Sequence, residues 1–192
     1  IEIIIVNNNC KDNSIAEIKI NYTNVKILDL NKNQGYAGGC NEGAKRAKGK
    51  YLLFLNNDTI IENNCIQSLL KIISSSTKIS SVQPKIKNYI NRKTFDYAGA
   101  CGGFIDYLGY PFSRGRIFNT IEDDNKQYDQ PVKIFWASGT AFITRADIFN
   151  SVGGFDETLF AHMEEIDYHW KCLKLGYDIY VEPRAIVYHR GE

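Results

Sequence analysis

No apolar run in this chain approaches the roughly 18–20 residues of a membrane span, and no sign of charge prevails. Lys and Arg number 23 against 22 Asp and Glu, a formal net charge of +1. The first absence excludes a spanning helix. The second removes the electrostatic case for nucleic acid or for a polybasic patch on a membrane. Cysteine is sparse and unpatterned: Cys10, Cys40, Cys65, Cys101 and Cys172 are scattered, odd in number and never spaced CxxC. That argues against a disulfide framework or a zinc site and for reduced thiols in a cytosolic protein. There is no visible signal peptide, no internal repeat, no linker that would split the chain and no GxGxxG fingerprint. What is left is 192 residues, long enough for one sizeable core.

The first two-thirds alternates strand and helix patterns. Residues 3–6, 25–30, 51–55 and 79–86 are apolar strand candidates, the last with Pro84 near its end. Residues 36–48 read as a helix weakened at its start by Gly38 and Gly39 and stopped by Gly49. Residues 63–75 read as a second helix, with Ile66, Leu69, Leu70 and Ile73 on one side. Such alternation predicts a parallel sheet with helices on both faces. From 91 to 130 the pattern dissolves into Gly, Tyr, Asn and Asp, which predicts short hairpins and a mobile loop. Regularity returns at 132–143. Near the end, Ile166, Trp170 and Leu173 fall at i, i+4, i+7 and predict one apolar helical stripe.

Two places concentrate chemistry. Leu52-Leu53-Phe54-Leu55 runs straight into Asn56-Asn57-Asp58. In an open α/β sheet, ligands bind outside the carboxyl ends of strands, so Asp58 stands where a charged ligand or hard cation would be held, or else forms an Asx-turn. Glu164, Glu165 and Asp167 put three acids within four residues at the start of the last helix. Acids there favour the helix dipole, but three exceed what a cap needs. Their mutual repulsion can raise one pKa towards the range of a general base. Asp167 has a plainer alternative as the i, i+4 partner of Lys171.

Together these segments resemble the inverting glycosyltransferases of family 2, which have the GT-A fold, in their rhamnosyltransferase-like subgroup. Residues 3–14 (IIIVNNNCKDNS) look like the family's VVDNxSxDGS strand and turn. Residues 33–43 (NQGYAGGCNEG) match NxGxAxxxNxG, and Asn56-Asn57-Asp58 stands at the DxD metal motif. Trp136-Ala137-Ser138-Gly139-Thr140 resembles the acceptor-side strand, Glu164-Glu165-Ile166-Asp167 the motif of the catalytic base, and Val187-Tyr188-His189 the late metal-binding histidine. Six motifs in register cover nearly the whole chain.

The resemblance implies a GT-A type three-layer α/β fold with a mostly parallel central sheet. It implies one domain over 1–192, with a nucleotide-sugar half at 1–90 and an acceptor and catalytic half at 91–192. It implies transfer of a hexosyl or rhamnosyl group from a nucleotide-diphosphate sugar to a glycan or lipid-linked saccharide, with Mn2+ or Mg2+ held by Asp58 and His189. Glu165 would be the base, with Glu164 and Asp167 beside it. Asn7, Asn9, Asp12, Asn33, Gly35, Asn41, Asn57 and Asp58 would face the nucleotide sugar, and Trp136 and Gly139 the acceptor. Trp136 has the alternative of a core tryptophan, Asn33 and Asn41 that of helix caps, Asp12 that of a cap, and His189 that of a strand histidine bonded to backbone. The expected location is cytoplasmic, extending to the inner face of a membrane, with a membrane-associated assembly or homo-oligomer admitted as partners and nucleic acid not. Departures are visible. The family's first strand and helix are expected ahead of Ile3, so the chain reads as a fragment with an open sheet edge or as one completed elsewhere. Asn7 and Asn56 stand where acids are usual, and Glu165 where Asp is usual. Three rivals remain: a non-catalytic carbohydrate-binding or scaffolding module, one domain of a longer synthase, and a sugar-1-phosphate nucleotidyltransferase, whose glycine- and arginine-rich phosphate loop is not seen here.

Overall fold

The computed structural model describes residues 1–191. Its elements are β1 (Ile4–Asn7), α1 (Ser14–Asn21), β2 (Lys26–Asp29), α2 (Gly35–Arg46), β3 (Tyr51–Leu55), β4 (Thr59–Ile61), α3 (Cys65–Ser75) and β5 (Ile79–Asn88). Two small hairpins follow, β6 (Gly103–Ile105) with β7 (Pro111–Ser113), and β8 (Arg116–Ile117) with β9 (Thr120–Ile121). The chain closes with β10 (Val132–Ile134), β11 (Ala141–Arg145), α4 (Ala146–Ser151), a 3-10 turn (Glu157–Leu159), α5 (Glu164–Lys174) and β12 (Asp178–His189).

The central sheet has the order β10-β12-β5-β11-β3, with β4 added along the far end of β12. β3, β5 and β12 share one direction, but β5 with β12 is the one parallel pairing of this sheet among the described residues, so the sheet is not the mostly parallel one expected. β11 enters between β3 and β5 antiparallel to both, so the sheet is mixed. Both faces are covered, which is why its strands read as continuous apolar runs and not as alternation. Leu52 and Phe54 face a cluster that includes Ala37 of α2, Ile148 and Phe149 of α4, and Tyr168 and Cys172 of α5. Val82, Ile143 and Val187 face Cys65, Leu69 and Ile73 of α3. Phe155 is the hub of the first cluster, its ring 5.1 Å from those of Phe54 and Phe149 and 5.7 Å from that of Tyr168. Aromatic pairs at this spacing add to the burial itself.

Pro84 sits inside β5, where it has no N–H for a ladder bond. It is opposite Glu182, and the register with β12 then jumps so that Lys85 faces Ile186. The irregularity accommodates the proline. β1 and β2 pair with each other in a separate parallel sheet. Among the described residues β1 pairs only with β2, and β3 only with β11. α2 touches both sheets: it joins the cluster beneath β3, and Gly43 lies so close to β1 that a Cβ there would come within 3.0 Å of Val6.

Two further expectations change. The regular stretch at 132–143 is two strands separated by a turn, because β10 pairs with β12 while β11 pairs with β3 and β5. The stripe Ile166, Trp170, Leu173 is not the buried face of α5. Trp170 is 49% exposed, and the residues fully covered are Glu164, Tyr168, His169 and Cys172. The helix turns polar groups inward: the Tyr168 hydroxyl lies 2.6 Å from Thr144 Oγ1, while Glu164 Oε2 and His169 Nε2 have no hydrogen-bond partner among the described residues. The short hairpins expected within 91–130 are there, built from strands of two or three residues. Among the described residues no helix is long and apolar enough to cross a membrane.

Arg145 shows how the layers are locked. It is buried at the end of β11, and its guanidinium donates to the carbonyls of Ile73 (2.6 Å), Ser76 (2.9 Å) and Ile79 (2.8 Å). These are the carbonyls at the carboxyl end of α3 and the start of β5. Arg145→Met keeps the apolar stem and leaves them unpaired. Bonds to a charged donor contribute on the order of 1.5–3 kcal/mol, and buried unpaired carbonyls add cost, so the variant should lose about 3 kcal/mol in urea unfolding. An unchanged midpoint would show that the clamp is idle.

Candidate active site

The turn after β3 and the end of β12 meet because of a ladder. Thr59 of β4 pairs with His189, and the Arg190 N–H donates to the Asp58 carbonyl at 2.9 Å. Asp58 Oδ2 therefore lies 3.2 Å from His189 Nε2. The other ring nitrogen, Nδ1, is 2.9 Å from Asp96 Oδ1. Contact with Asp96 and, less, with Asp58 holds the imidazole pKa above its ordinary value. His189 is thus bonded to side chains and not to backbone. Among the described residues no three His, Cys, Asp or Glu side chains form a closed metal cage. Two donors 3.2 Å apart do fit one edge of an octahedral shell, where bonds of ~2.1 Å put neighbouring donors about 3 Å apart. An open site of that kind suits a hard cation that takes its remaining ligands from phosphate and water. Asn57 is exposed in the same turn.

The asparagine-rich loops assemble with one another. Asn8 Nδ2 donates to Asn33 Oδ1 (3.0 Å) and to the Gly35 carbonyl (2.9 Å), while its Oδ1 accepts the Gln34 N–H (2.8 Å). Asn33 Oδ1 also accepts the Gly35 N–H. Gly35 has φ +70°, and a Cβ there would fall 2.2 Å from the Phe160 carbonyl oxygen. Only glycine fits both demands. Asn7 donates to Asp29 at 2.8 Å, so a carboxylate is restored at this edge by β2. Asn9 stands at φ +67° and accepts from Lys11. Asp12 accepts from the Ser14 N–H and hydroxyl, which hold its carboxyl below the usual range; it serves the start of α1. Asn41 is spent internally: it is buried, donates to the Phe155 carbonyl and Glu157 and accepts the Phe155 N–H. The sugar-contact reading of Asn41 gives way to a clamp between α2 and the segment before α5.

The third part is the amino end of α5. Phe160, His162 and Met163 all have positive φ (57°, 71° and 72°), a conformation that costs side-chain-bearing residues energy and clusters at functional sites. The kinked segment turns Glu164 and Glu165 inward. Glu164 is 4% exposed. Oε2 of each is buried without a hydrogen-bond partner among the described residues. Burial raises the Glu164 pKa. Burial first, and then the Glu164 charge, push Glu165 up to about 7, opposed by the Gly139 N–H and His162. The Gly139 carbonyl accepts the Tyr36 hydroxyl at 2.6 Å, so this residue is fastened to α2. Burial holds the Tyr36 hydroxyl pKa well above its ordinary value. Asp167 forms the i, i+4 pair with Lys171 at 2.6 Å. His169, kept neutral by burial with a pKa near 3, packs one turn later against the Glu165 carbonyl at 2.6 Å.

Trp136 departs from its expected place. It is 9% exposed, its indole N–H donates to the Phe104 carbonyl at 2.8 Å, and Gly103 lies flat against its ring. It is a core tryptophan that seats the β6–β7 hairpin, not an open sugar platform. Register joins the rest. Ala141 pairs with Leu55 and the Asn56 N–H donates to the Thr140 carbonyl, so Gly139, next to Glu165, lies at the carboxyl end of β3, where Asp58 also sits. Sequence reasoning missed Asp96, Asn8 and Asp29. The pairing of neighbouring polar residues gave no signal for them.

The model of the family described as Glycosyl transferase family 2 matches residues 1–153. Poly-beta-1,6-N-acetyl-D-glucosamine synthase of Staphylococcus epidermidis is 28% identical over 194 residues, covering 96% of this chain and 42% of the synthase. The chain thus spans less than half the length of that relative. N-acetylglucosaminyl-diphospho-decaprenol L-rhamnosyltransferase of Mycobacterium tuberculosis is 22% identical over 208 residues, covering 100% of this chain and 67% of the relative. Among solved structures, GalNAc-T7 with UDP, GalNAc and Mn2+ superposes with a TM-score of 0.77 at 19% identity, over 98% of this chain and 37% of that one. A mannosyltransferase of Pyrobaculum calidifontis in complex with GDP-Man and Mn2+ gives 0.66 at 11% identity, over 98% and 47%. These likenesses establish the fold, the three-layer GT-A architecture.

Glu165 carries a stability signature. Its folded pKa of about 7 lies above the ordinary 4.5. Below pH 4.5 the group is protonated folded and unfolded. Between 4.5 and 7 the unfolded chain releases a proton that the folded chain keeps, so stability falls as pH rises through that window and then levels. Glu165→Gln should remove this slope and be the more stable protein at pH 8, by on the order of 2 kcal/mol, with little difference at pH 4. Parallel thermal melts across that range would refute the assignment.

Proposed function

Since the chain belongs to glycosyl transferase family 2, we propose that it moves a sugar from a nucleotide-diphosphate donor to a glycan or lipid-linked saccharide, inverting the anomeric centre. The observation that carries this reading is Glu165. A carboxylate with a pKa near 7 is half ready at neutral pH to take a proton, and its buried Oε2 has no competing partner. The acceptor hydroxyl attacks the anomeric carbon, its proton goes to Glu165, and the bond from that carbon to the diphosphate breaks. Direct displacement of this kind inverts the centre. Glu164 keeps the base's proton affinity high, and Asp167 holds Lys171 at the rim.

On the donor side Asp58 and His189 are the residues that would hold Mn2+ or Mg2+, whose chemistry is to neutralise the departing diphosphate as a Lewis acid. Asn7, Asn9, Asp12, Asn33, Gly35 and Asn57 line the approach of the nucleotide sugar. Gly139 lies on the acceptor side with Glu165. The division into a nucleotide half at 1–90 and an acceptor half at 91–192 is one of function, since β3 with β11 and β5 with β12 share one sheet. The relatives' names support the substrate class: one makes a poly-N-acetylglucosamine, and another adds L-rhamnose to a decaprenol-linked sugar. A lipid-linked acceptor would put the chain at the inner face of a membrane, and the open edges of β1 and β3 would suit assembly with another chain.

The test is a screen of UDP-, dTDP- and GDP-sugars with Mn2+ for hydrolysis and transfer, with NMR reading the product anomer. Glu165→Gln should lose 10²–10⁴-fold in transfer rate with donor affinity nearly unchanged. Asp58→Ala should abolish Mn2+-dependent UDP binding in calorimetry while the protein stays folded. If Glu165→Gln is active and Asp167→Asn is dead, the base is Asp167. If Glu165→Gln, Glu164→Gln and Asp167→Asn all match the parent, the acids are only a helix cap and the reading fails. Nucleotide-sugar binding with no turnover would favour a binding module.

A further inference from the structure

His189 is gripped from both sides, and only one grip faces the donor site. Asp96 lies on the far side of the ring and is 3% exposed. Its Oδ1 accepts the Ala98 N–H at 2.8 Å as well as facing His189 Nδ1 at 2.9 Å. Its backbone N–H donates to the Ile86 carbonyl at 3.0 Å, and its neighbour Phe95 is 1% exposed and bridged to Lys87. The carboxylate is therefore fixed before the imidazole meets it. A carboxylate only accepts hydrogen bonds, so the ring nitrogen that faces it must carry a proton. In a neutral ring Nδ1–H then leaves the lone pair on Nε2, the atom 3.2 Å from Asp58. Histidines that bind metals through one nitrogen are commonly held by such an acceptor on the other, and its loss typically costs 10–100-fold in metal affinity.

We propose that Asp96 is a positioning residue for the cation site. It accepts the Nδ1–H of His189, which fixes the ring's orientation and tautomer so that Nε2 and Asp58 face the same point. The inference rests on the proposed cation reading of Asp58 and His189. It goes beyond it by assigning a side chain that touches neither donor nor cation. The competing role is a purely structural one, in which a protonated His189 bridges two carboxylates and no cation enters.

The experiment measures Mn2+ affinity from the free-ion EPR signal in the presence of UDP, with folding checked by thermal melts. Variants are Asp58→Ala, His189→Ala, Asp96→Ala, Asp96→Asn and the double Asp96→Ala/His189→Ala. Asp96→Ala should weaken Mn2+ binding 10–100-fold. Asp96→Asn, whose amide oxygen still accepts from Nδ1–H, should stay within a few-fold of the parent. The double variant should bind no more weakly than His189→Ala alone, because Asp96 acts only through that ring. If Asp96→Ala does not fold, Asp96→Ser keeps a hydroxyl for the Ala98 N–H, withdraws the acceptor from His189 and carries the same expectation. Additive losses in the double variant, or a parental affinity in Asp96→Ala beside a weakened His189→Ala, would overturn the inference and leave the cation reading standing. Unchanged Mn2+ binding in both Asp58→Ala and His189→Ala would overturn the two together.

Discussion

The three-way pairing of β12 is the constraint on which the rest depends. It runs parallel to β5 along most of its length, antiparallel to β10 at 179–181 and antiparallel to β4 at 187–189. A strand shifted by one residue turns every side chain to the opposite face. In that event His189 would leave Asp58 and Asp96 together, and Val187 and Ala185 would leave the cluster with α3. Core packing and site geometry are thus enforced by one register. The jump at Glu182–Ile186 is what lets that register serve both ends, since it absorbs Pro84 without shifting His189 from Asn88. Glu182 is fully buried there, and Arg184 pairs with both its oxygens at 2.8 and 2.7 Å.

The base side is held differently and at a cost. Glu164 and Oε2 of the half-buried Glu165 are buried at the start of α5, three residues with positive φ precede them, and among the described residues neither Oε2 has a hydrogen-bond partner. The helix dipole offsets part of this, typically under ~1 kcal/mol per charge. The larger compensation lies beneath, where Phe155 joins Phe54, Phe142, Phe149 and Tyr168 in one aromatic cluster. Asn41 fastens Phe155 to α2. Local instability at the acids is tolerated because the segment before them is anchored to the densest part of the core, a familiar exchange at functional sites.

The alternation of apolar runs and helical periods was enough to read the layers, because β3 and α3 bury what their patterns say they bury. The turn after β3 and the acids of α5 were legible for the same reason: polar groups that interrupt strong patterns stand out. What stayed hidden has physical causes. The direction of β11 leaves no trace in a strand buried on both faces. The inward side of α5 carries Glu164, Tyr168 and His169, so a search for apolar periodicity picked Trp170, which is exposed. Asp96 lies in a stretch whose strands are two or three residues long, and its meaning comes from a residue 93 positions away. Trp136 looked like a sugar platform because sequence cannot say whether a ring's face is already covered.

On the proposed reading, a cation at Asp58 and His189 and a base at Glu165 act on different atoms. A cation close to Glu165 would stabilise its carboxylate and lower its pKa, which would weaken it as a base. Burial and the Glu164 charge raise the Glu165 pKa, and His162 opposes them. The Thr140 carbonyl accepts the Asn56 N–H in the turn that carries Asp58, and the preceding residue, Gly139, lies beside Glu165. A short backbone segment thus ties both groups to one sheet edge. That segment can do so only because β11 lies antiparallel to β3, which brings the residues before β11 to the end where β3 stops. The antiparallel strand that no sequence pattern revealed is what brings the turn carrying Asp58 and the segment beside Glu165 to one sheet edge.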